Sequence, residues 1–330
     1  MPTLSPITVI TVILVIAATL TNGCSDAPNT VASAVATKAL RTKNALRISA
    51  AFNFVGAFSM SVFAPFVTQT IYRMVDFDSQ SSVYIALTAC TVSVSAFALA
   101  AMRYGIPTSE SHGMIAALAG AGIVTQNSLK VINGVSVLKA LLGLVLSVIL
   151  AVILGYVITL IIKKATANVK ISDKLLDGAQ TFSLCVSSFL HGAQDGQKFL
   201  AVLLLSAAGN GCAYKTITAV IIATALSIGT RFGGKKILNA IGFSLAPLDK
   251  RQGLSADIAS SLTLTLCSIF GIPSSTTQTV SSAIVGSALY NDYKTINFGI
   301  AKNLMFAWLV TFPLCFLLSA FVASVIKILI

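Results

Sequence analysis

Asp26 and Asp195 are carboxylates set among apolar residues, each inside a short polar segment: Asn22–Asn29 (NGCSDAPN) and His191–Lys198 (HGAQDGQK). Carboxylate oxygens can coordinate a cation as hard ligands or carry a proton. At membrane depth an Asp costs about 2.5–3.5 kcal/mol to insert, so a buried one needs a partner and a task. A second pair of segments, Gly105–His112 (GIPTSESH) and Gly271–Gln278 (GIPSSTTQ), places hydroxyls just after a proline. Asp26 and Asp195 stand 169 positions apart (195 minus 26), and Pro107 and Pro273 stand 166 apart (273 minus 107). Two anchors with nearly one offset mark an internal duplication. Residues 1–165 are expected to form a first membrane repeat and 172–330 a second, joined in one transport unit. Repeated polar interruptions of apolar segments are where membrane transporters bind substrate and ion.

The elements that must hold these residues are apolar helices. Hydrophobic residues make up 56% of the chain and charged residues 10%, whereas a soluble domain carries roughly 25% charged residues. Long apolar runs recur at Ile7–Leu20, Val135–Ile162, Thr216–Ile228 and Phe306–Ile330. At ~20 residues per span the chain has room for about ten to twelve passes, half-helices included. The expected fold is therefore an all-α polytopic membrane protein with discontinuous helices meeting at a central site. Four breaks are predicted. The first separates Ile7–Leu20 from Thr30–Leu40 at Pro28, and a second lies at Gly105–His112. The third separates Leu176–Leu190 from Phe199–Ala208, and the fourth lies at Gly271–Gln278. A proline disfavours the helical conformation of the residue before it, which here is Ala27, Ile106 or Ile272.

The net charge of +12 does not form a nucleic-acid stripe. Basic residues collect at segment ends: Lys38, Arg41, Lys43 and Arg47; Lys163, Lys164, Lys170 and Lys174; Arg231, Lys235, Lys236, Lys250 and Arg251. The positive-inside rule assigns these three loops to the cytoplasm, with the N-terminus and the Asp76–Asp78 loop outside. The first apolar stretch lacks a basic n-region and runs straight into the Asp26 motif, so it reads as a retained membrane segment. The six cysteines stand singly, with no metal spacing, and read as small packing residues. Neither a metal site nor a cofactor is expected.

Within the motifs, free N–H groups at the start of a half-helix, with hydroxyls beside them, form an anion site. That assigns Ser109, Glu110, Ser111, His112, Ser275, Thr276, Thr277 and Gln278 to the substrate. The coupling cation or proton falls to Asp26, Asn29, Asp195 and Gln197, with Ser25, His191, Gln194 and Lys198 behind them. Simpler roles stay open for each. An Asp can cap a helix, a Ser or Thr can bond its own preceding carbonyl, and Glu110, the only Glu, can complete a capping box. Lys198 reads as the ion-pair partner of Asp195.

At these residues the chain resembles the inorganic phosphate transporter family, whose hallmark is a duplicated G-A-N-D core followed by a duplicated G-L-P-[VI]-S-[TS]-T-H core. His191–Lys198 is similar to the family's H-G-A-N-D-A-Q-K, and the two GIP segments are similar to its second core. Several positions depart from the pattern: Cys24-Ser25-Asp26 for A-N-D, Gln194 for the second Asn, Gln278 for the second His, Glu110 where a small residue is usual, and Asn53 where many members place a membrane Glu. The resemblance implies inverted repeats, a homodimer in the plasma membrane, and inorganic phosphate bound near the midplane and driven by sodium ions or protons. A sulfate permease of the same architecture is the nearest alternative. Sulfate cannot donate hydrogen bonds to Asp26 and Asp195, whereas dihydrogen phosphate can, and a site built to pair a substrate hydroxyl discriminates strongly. An intramembrane enzyme using His191 and Asp195 lacks a nucleophile, and a passive channel would not need paired motifs.

Overall fold

Gly105 and Gly271 end two helices in the same way. Each adopts a left-handed conformation, φ +68° and +60°, which a side chain would strain. The following Ile106 and Ile272 N–H groups reach back to the carbonyls of Ala101 and Cys267, at 3.0 and 2.8 Å, closing Schellman-type caps. Pro107 or Pro273 follows, and then Ser109 or Ser275 caps a new helix by accepting from the His112 or Gln278 N–H, both at 3.3 Å. The two expected breaks in the GIP motifs are thus present, built twice by the same local chemistry.

The computed structural model describes residues 6–206 and 212–329; the expected segment ends Ala208 and Ile330 lie outside the described residues. Among the described residues the chain forms twelve α-helices and no strand beyond one isolated bridge pair, Val75 with Ile132. The first repeat holds α1 (Pro6–Ala36), α2 (Thr42–Phe63), α3 (Phe66–Tyr72), α4 (Gln80–Tyr104), α5 (Glu110–Gln126) and α6 (Gly134–Ala165). The second holds α7 (Asp173–Ser206), α8 (Cys212–Arg231), α9 (Lys235–Leu238, continued by a π turn), α10 (Lys250–Ile269), α11 (Thr276–Leu289) and α12 (Phe298–Leu329). By length and composition, α1, α2, α4, α6 and α12 can cross a membrane, and a bent α8–α9 pair makes a sixth span. The count falls below ten because α7 and α10 reach span length, at 34 and 20 residues, but carry buried polar side chains along their length, and because α5 and α11, at 17 and 14 residues, are half-helices too short to cross alone.

Two expected breaks are absent. Helix α1 runs through Pro28 without interruption. Pro28 cannot donate to the Cys24 carbonyl, and the Gly234 N–H takes that place at 3.0 Å, so a second-repeat residue repairs the ladder. Helix α7 is likewise continuous through Gly192 and Gly196. There the glycines serve close packing: a Cβ on Gly192 would lie 2.2 Å from the Asn53 carbonyl oxygen, and one on Gly196 2.5 Å from the Ala57 Cβ. Small residues bring α7 onto α2 as they do at tight membrane helix crossings.

The three basic clusters meet at one end of the molecule. Lys163 pairs with Asp249 at 2.7 Å and Lys250 with Asp177 at 2.7 Å. Lys38 borders the same surface hollow as Lys250 and Arg251, and Lys43 and Arg47 share another with Arg231 and Lys235. Helix α1 ends at this basic end and its repeat equivalent α7 begins there, so the two repeats run in opposite directions. The Asp76–Asp78 segment closes the far end, where the Gln126 side chain bonds both residues.

Equivalent helices also exchange partners: α1 packs on α8 and α7 on α2, while α5 packs on α12 and α11 on α6. Two large apolar clusters result, beside two smaller ones. Val15, Leu87, Met114, Leu118, Phe199 and Leu203 belong to one; Val31, Leu184, Ile237, Ile284 and Leu304 belong to the other. Along both α1 and α7 the polar motif lies between residues of the two clusters, which fixes it at mid-depth.

Candidate functional site

Asn22, Asp26 and Asn29 lie at i, i+4 and i+7 on α1, so an uninterrupted helix presents them on one face. His191, Asp195 and Lys198 repeat that spacing on α7. Asn22 Nδ2 donates to Asp26 Oδ2 at 3.1 Å and Asn29 Nδ2 to Oδ1 at 3.3 Å. The α11 start closes over the same carboxylate: Thr277 donates to Oδ1 at 2.8 Å and Thr276 to Oδ2 at 3.4 Å. Asn29 Nδ2 also reaches the Thr277 hydroxyl at 2.7 Å. On the other side, Lys198 Nζ meets Asp195 Oδ1 at 2.8 Å, the Ser111 hydroxyl at 2.5 Å and the Ser274 carbonyl at 2.6 Å. The expected Lys198–Asp195 pair is therefore present and buried.

The two hairpin tips touch at equivalent residues. Ser109 and Ser275 hydroxyls bond at 2.8 Å, and Gln278 Nε2 lies 3.2 Å from His112 Nδ1, each pair separated by 166 positions. Residues related by a two-fold operation meet only beside its axis, so these contacts locate the internal axis between the starts of α5 and α11. Both helix N-termini thus converge on one point, where their dipoles favour negative charge.

Asp26, His191 and Asp195 each offer a ligand atom, and all of these lie within 4.8 Å of one another. His191 Nε2 is 3.6 Å from Asp195 Oδ2, beyond hydrogen-bond reach, and both atoms stay without a partner. Asn22 Oδ1 and Asn29 Oδ1 are unpartnered too. Two carboxylates and unpartnered oxygens of this kind suit a hard cation or a proton. No metal site was expected from the sequence and Asn22 was given no role there; its i, i+4 spacing to Asp26 was the available signal.

The remaining motif residues hold the frame. Ser25 hydrogen-bonds the Glu110 carboxylate, tying α1 to α5, and Glu110 Oε2 stays unpartnered. Gln194 Nε2 donates to Ser268 at 2.9 Å, and its Oε1 accepts from the Ser274 N–H at 3.4 Å, so it supports the α10–α11 tip. Gln197 is placed apart from the carboxylates: its Oε1 accepts from the Val67 and Thr68 N–H groups at 3.0 and 3.4 Å and caps α3. Asn53 ties α2 to α8 through Thr230 at 2.8 Å. A buried carboxylate that the motif analysis did not single out, Asp257, accepts from Ser33 between α1 and α10. A cavity of about 370 Å³ lies among α6, α11 and α12, with His112 and Gln278 in its wall and the single tryptophan, Trp308, among its otherwise mostly apolar lining.

Opposed repeats of apolar helices, with a charged centre at mid-depth and paired hairpin tips, define an integral membrane protein of the inverted-repeat transporter class. The sequence profile of the phosphate transporter family matches residues 22–174 and again residues 166–319. The chain belongs to that family. It is 30% identical over 321 residues to a probable low-affinity inorganic phosphate transporter of Bacillus subtilis, covering 95% of each chain. A protein of the same description from Rhizobium meliloti is 30% identical over 312 residues, covering 91% of this chain and 90% of its own. The solved structure of a sodium-dependent phosphate transporter superposes with a TM-score of 0.84 at 22% identity, covering 98% of this chain and all of that one.

Proposed function

We propose that the chain carries inorganic phosphate across the plasma membrane as a secondary transporter, by alternating access and coupled to a sodium or proton gradient. The observation that carries the reading is the Ser109–Ser275 contact on the internal axis. It brings two helix N-termini to one point beside the Asp26 and Asp195 carboxylates and the Lys198 ammonium. Phosphate would be met there by the N–H groups and hydroxyls of Ser109–His112 and Ser275–Gln278, with Lys198 at its edge. Family membership and the phosphate transporter relatives support the choice of anion. Asp26 and Asp195 would hold the cation beside it, so that the charges of anion and cation offset each other locally. The basic end would face the cytoplasm with the N-terminus outside, in a homodimer.

The test is uptake of labelled phosphate into liposomes under a sodium gradient and then a proton gradient, each with excess sulfate. Uptake driven by one gradient, indifferent to sulfate and lost in Asp26→Asn, is the expected result. Sulfate accumulation without phosphate uptake, or full coupled uptake in Asp26→Asn, would overturn the reading.

A further inference from the structure

The internal two-fold relation can be followed around the two carboxylates. An offset of 169 maps Asn22, Asp26 and Asn29 onto His191, Asp195 and Lys198, and an offset of 166 maps Ser111 onto Thr277. In the Asp26 half, the residue four before faces Oδ2 at 3.1 Å, and the residue three after faces Oδ1 at 3.3 Å and the Thr277 hydroxyl at 2.7 Å. In the Asp195 half, the same relations hold for His191 at 3.6 Å, for Lys198 at 2.8 Å, and for the Ser111 hydroxyl at 2.5 Å. The geometry is duplicated and the charge is not. Position 29 bears a neutral amide, whereas position 198 bears an ammonium that is 2% exposed and takes the Ser274 carbonyl as its third oxygen, at 2.6 Å. Three oxygens around a compact point charge resemble the shell of a bound monovalent cation, here attached to the chain.

We propose that the Lys198 ammonium is a tethered counter-ion that fills one of two symmetry-related cation positions, leaving the Asp26 half to take the exchangeable sodium ion or proton. The charges agree with this. Asp26 and Asp195 bring two carboxylates together and Lys198 balances one of them. Glu110, held by Ser25 on the α1 side, adds a further carboxyl group where the other repeat has Thr276. An independent sign of a ligand is the set of buried atoms without partners that surrounds the pair: Asn22 Oδ1, Asn29 Oδ1, Asp195 Oδ2 and both ring nitrogens of His191. The inference rests on reading the chain as a cation-coupled transporter, and it deepens that reading by saying which half of the site exchanges its ion.

Lys198→Asn makes the second half a copy of the first, and Asn29→Lys does the reverse. Equilibrium binding of radiolabelled sodium to the purified protein, with a parallel arm reading proton uptake by a pH indicator, counts exchangeable cations per chain. Lys198→Asn should bind one more than the parent chain and Asn29→Lys one fewer. In liposomes under a gradient of about tenfold, the added cation should raise the equilibrium phosphate accumulation of Lys198→Asn about tenfold. An unchanged count in the variants overturns the proposal. Where Lys198→Asn does not fold, Lys198→Gln replaces it, and the Asn29→Lys count decides independently. Cation binding that shifts as expected without any phosphate uptake by the parent would sink the phosphate reading and leave this inference standing. Phosphate uptake with unshifted counts would do the opposite.

Discussion

Asp26→Asn and Asp195→Asn are the same change at symmetry-related positions, and their effects on stability should differ. Asp195 Oδ1 lies 2.8 Å from Lys198 Nζ, with both side chains almost wholly buried. At an effective dielectric of ~20 the gross attraction at that separation is ~6 kcal/mol, much of it offset by desolvation. Removing the carboxylate leaves a buried ammonium, which costs about 3–5 kcal/mol. The Ser111 hydroxyl and Ser274 carbonyl stay as acceptors, which puts the expected loss near the lower figure. Asp26 accepts only from neutral donors: Asn22, Asn29, Thr276 and Thr277. Asn at that position gives up hydrogen bonding to a charged acceptor, about 1.5–3 kcal/mol. Either change relieves the mutual repulsion of Asp26 and Asp195, at least about 3 kcal/mol at the same dielectric for two charges within 4.8 Å, so that gain is common to both variants and drops out of their comparison. Asn22 Oδ1, which lacks a partner, can turn to accept the new amide. What remains is the difference between losing neutral donors and stranding an ammonium, so Asp26→Asn should be the more stable of the two variants by about 1–2 kcal/mol. Denaturant midpoints in detergent, followed by the emission of Trp308, would compare the variants directly. Equal losses at the two positions would refute the assignment of the fixed positive charge to Asp195.

Gly192→Ala should destabilise by about 1–3 kcal/mol or more, because its Cβ would meet the Asn53 carbonyl oxygen at 2.2 Å, whereas Gly178→Ala meets nothing within 4 Å and should be neutral to stabilising; thermal unfolding separates them. Ser109→Ala and Ser275→Ala should each cost about 1 kcal/mol through a lost helix cap, and the double variant should lose less than the sum because the two hydroxyls bond each other. Thr277→Val removes the hydroxyl that joins Asn29 to Asp26 and should lower phosphate uptake about tenfold or more with folding intact, while Thr277→Ser restores it; uptake in liposomes, normalised to folded protein, checks both.

The breaks at Gly105–Ser109 and Gly271–Ser275 were legible because every signal that makes them is local: a glycine in the left-handed region, a proline two residues later, and a serine cap. The breaks expected near Pro28 and Gly192 were misread because the forces that close them come from elsewhere in the chain. Gly234 supplies the N–H that Pro28 lacks, and Asn53 occupies the space that Gly192 leaves. That error carried into the site. Once α7 is continuous, Gln197 lies two residues, about 200°, around the helix from Asp195 and must face away. It caps α3 for that reason. His191, Asp195 and Lys198 share a face by the same geometry. The part played by Ser274 through its carbonyl was not legible, since a backbone acceptor leaves no mark in residue type.

The exchange of partners between repeats constrains how the site can open. Helices α1, α2, α7 and α8 pack on one another; α5 packs with α4 and α12, and α11 with α10 and α6. Each of these groups draws on both repeats, so rocking residues 1–165 as one body against 172–330 would tear α1 from α8 and α5 from α12. If the site opens by alternating access, a motion that separates the α1–α2–α7–α8 group from the groups that carry the hairpin tips would keep those pairs together, but it would have to slide α1 along α4 and α7 along α10, which also pack on each other. The carboxylates and Lys198 belong to the first group, and the hydroxyls and helix N-termini belong to the others. The bonds from Thr276 and Thr277 to Asp26, and from Lys198 to Ser111 and Ser274, all cross that boundary. On the proposed reading, a cation taken up between Asp26 and Asp195 would compete for the oxygens that hold the α11 tip, and an oxyanion at the tips would compete for the hydroxyls that hold Asp26 and Lys198. Each ligand would therefore change the bonds that join the two bodies, which is the differential interaction that any coupling between sites requires.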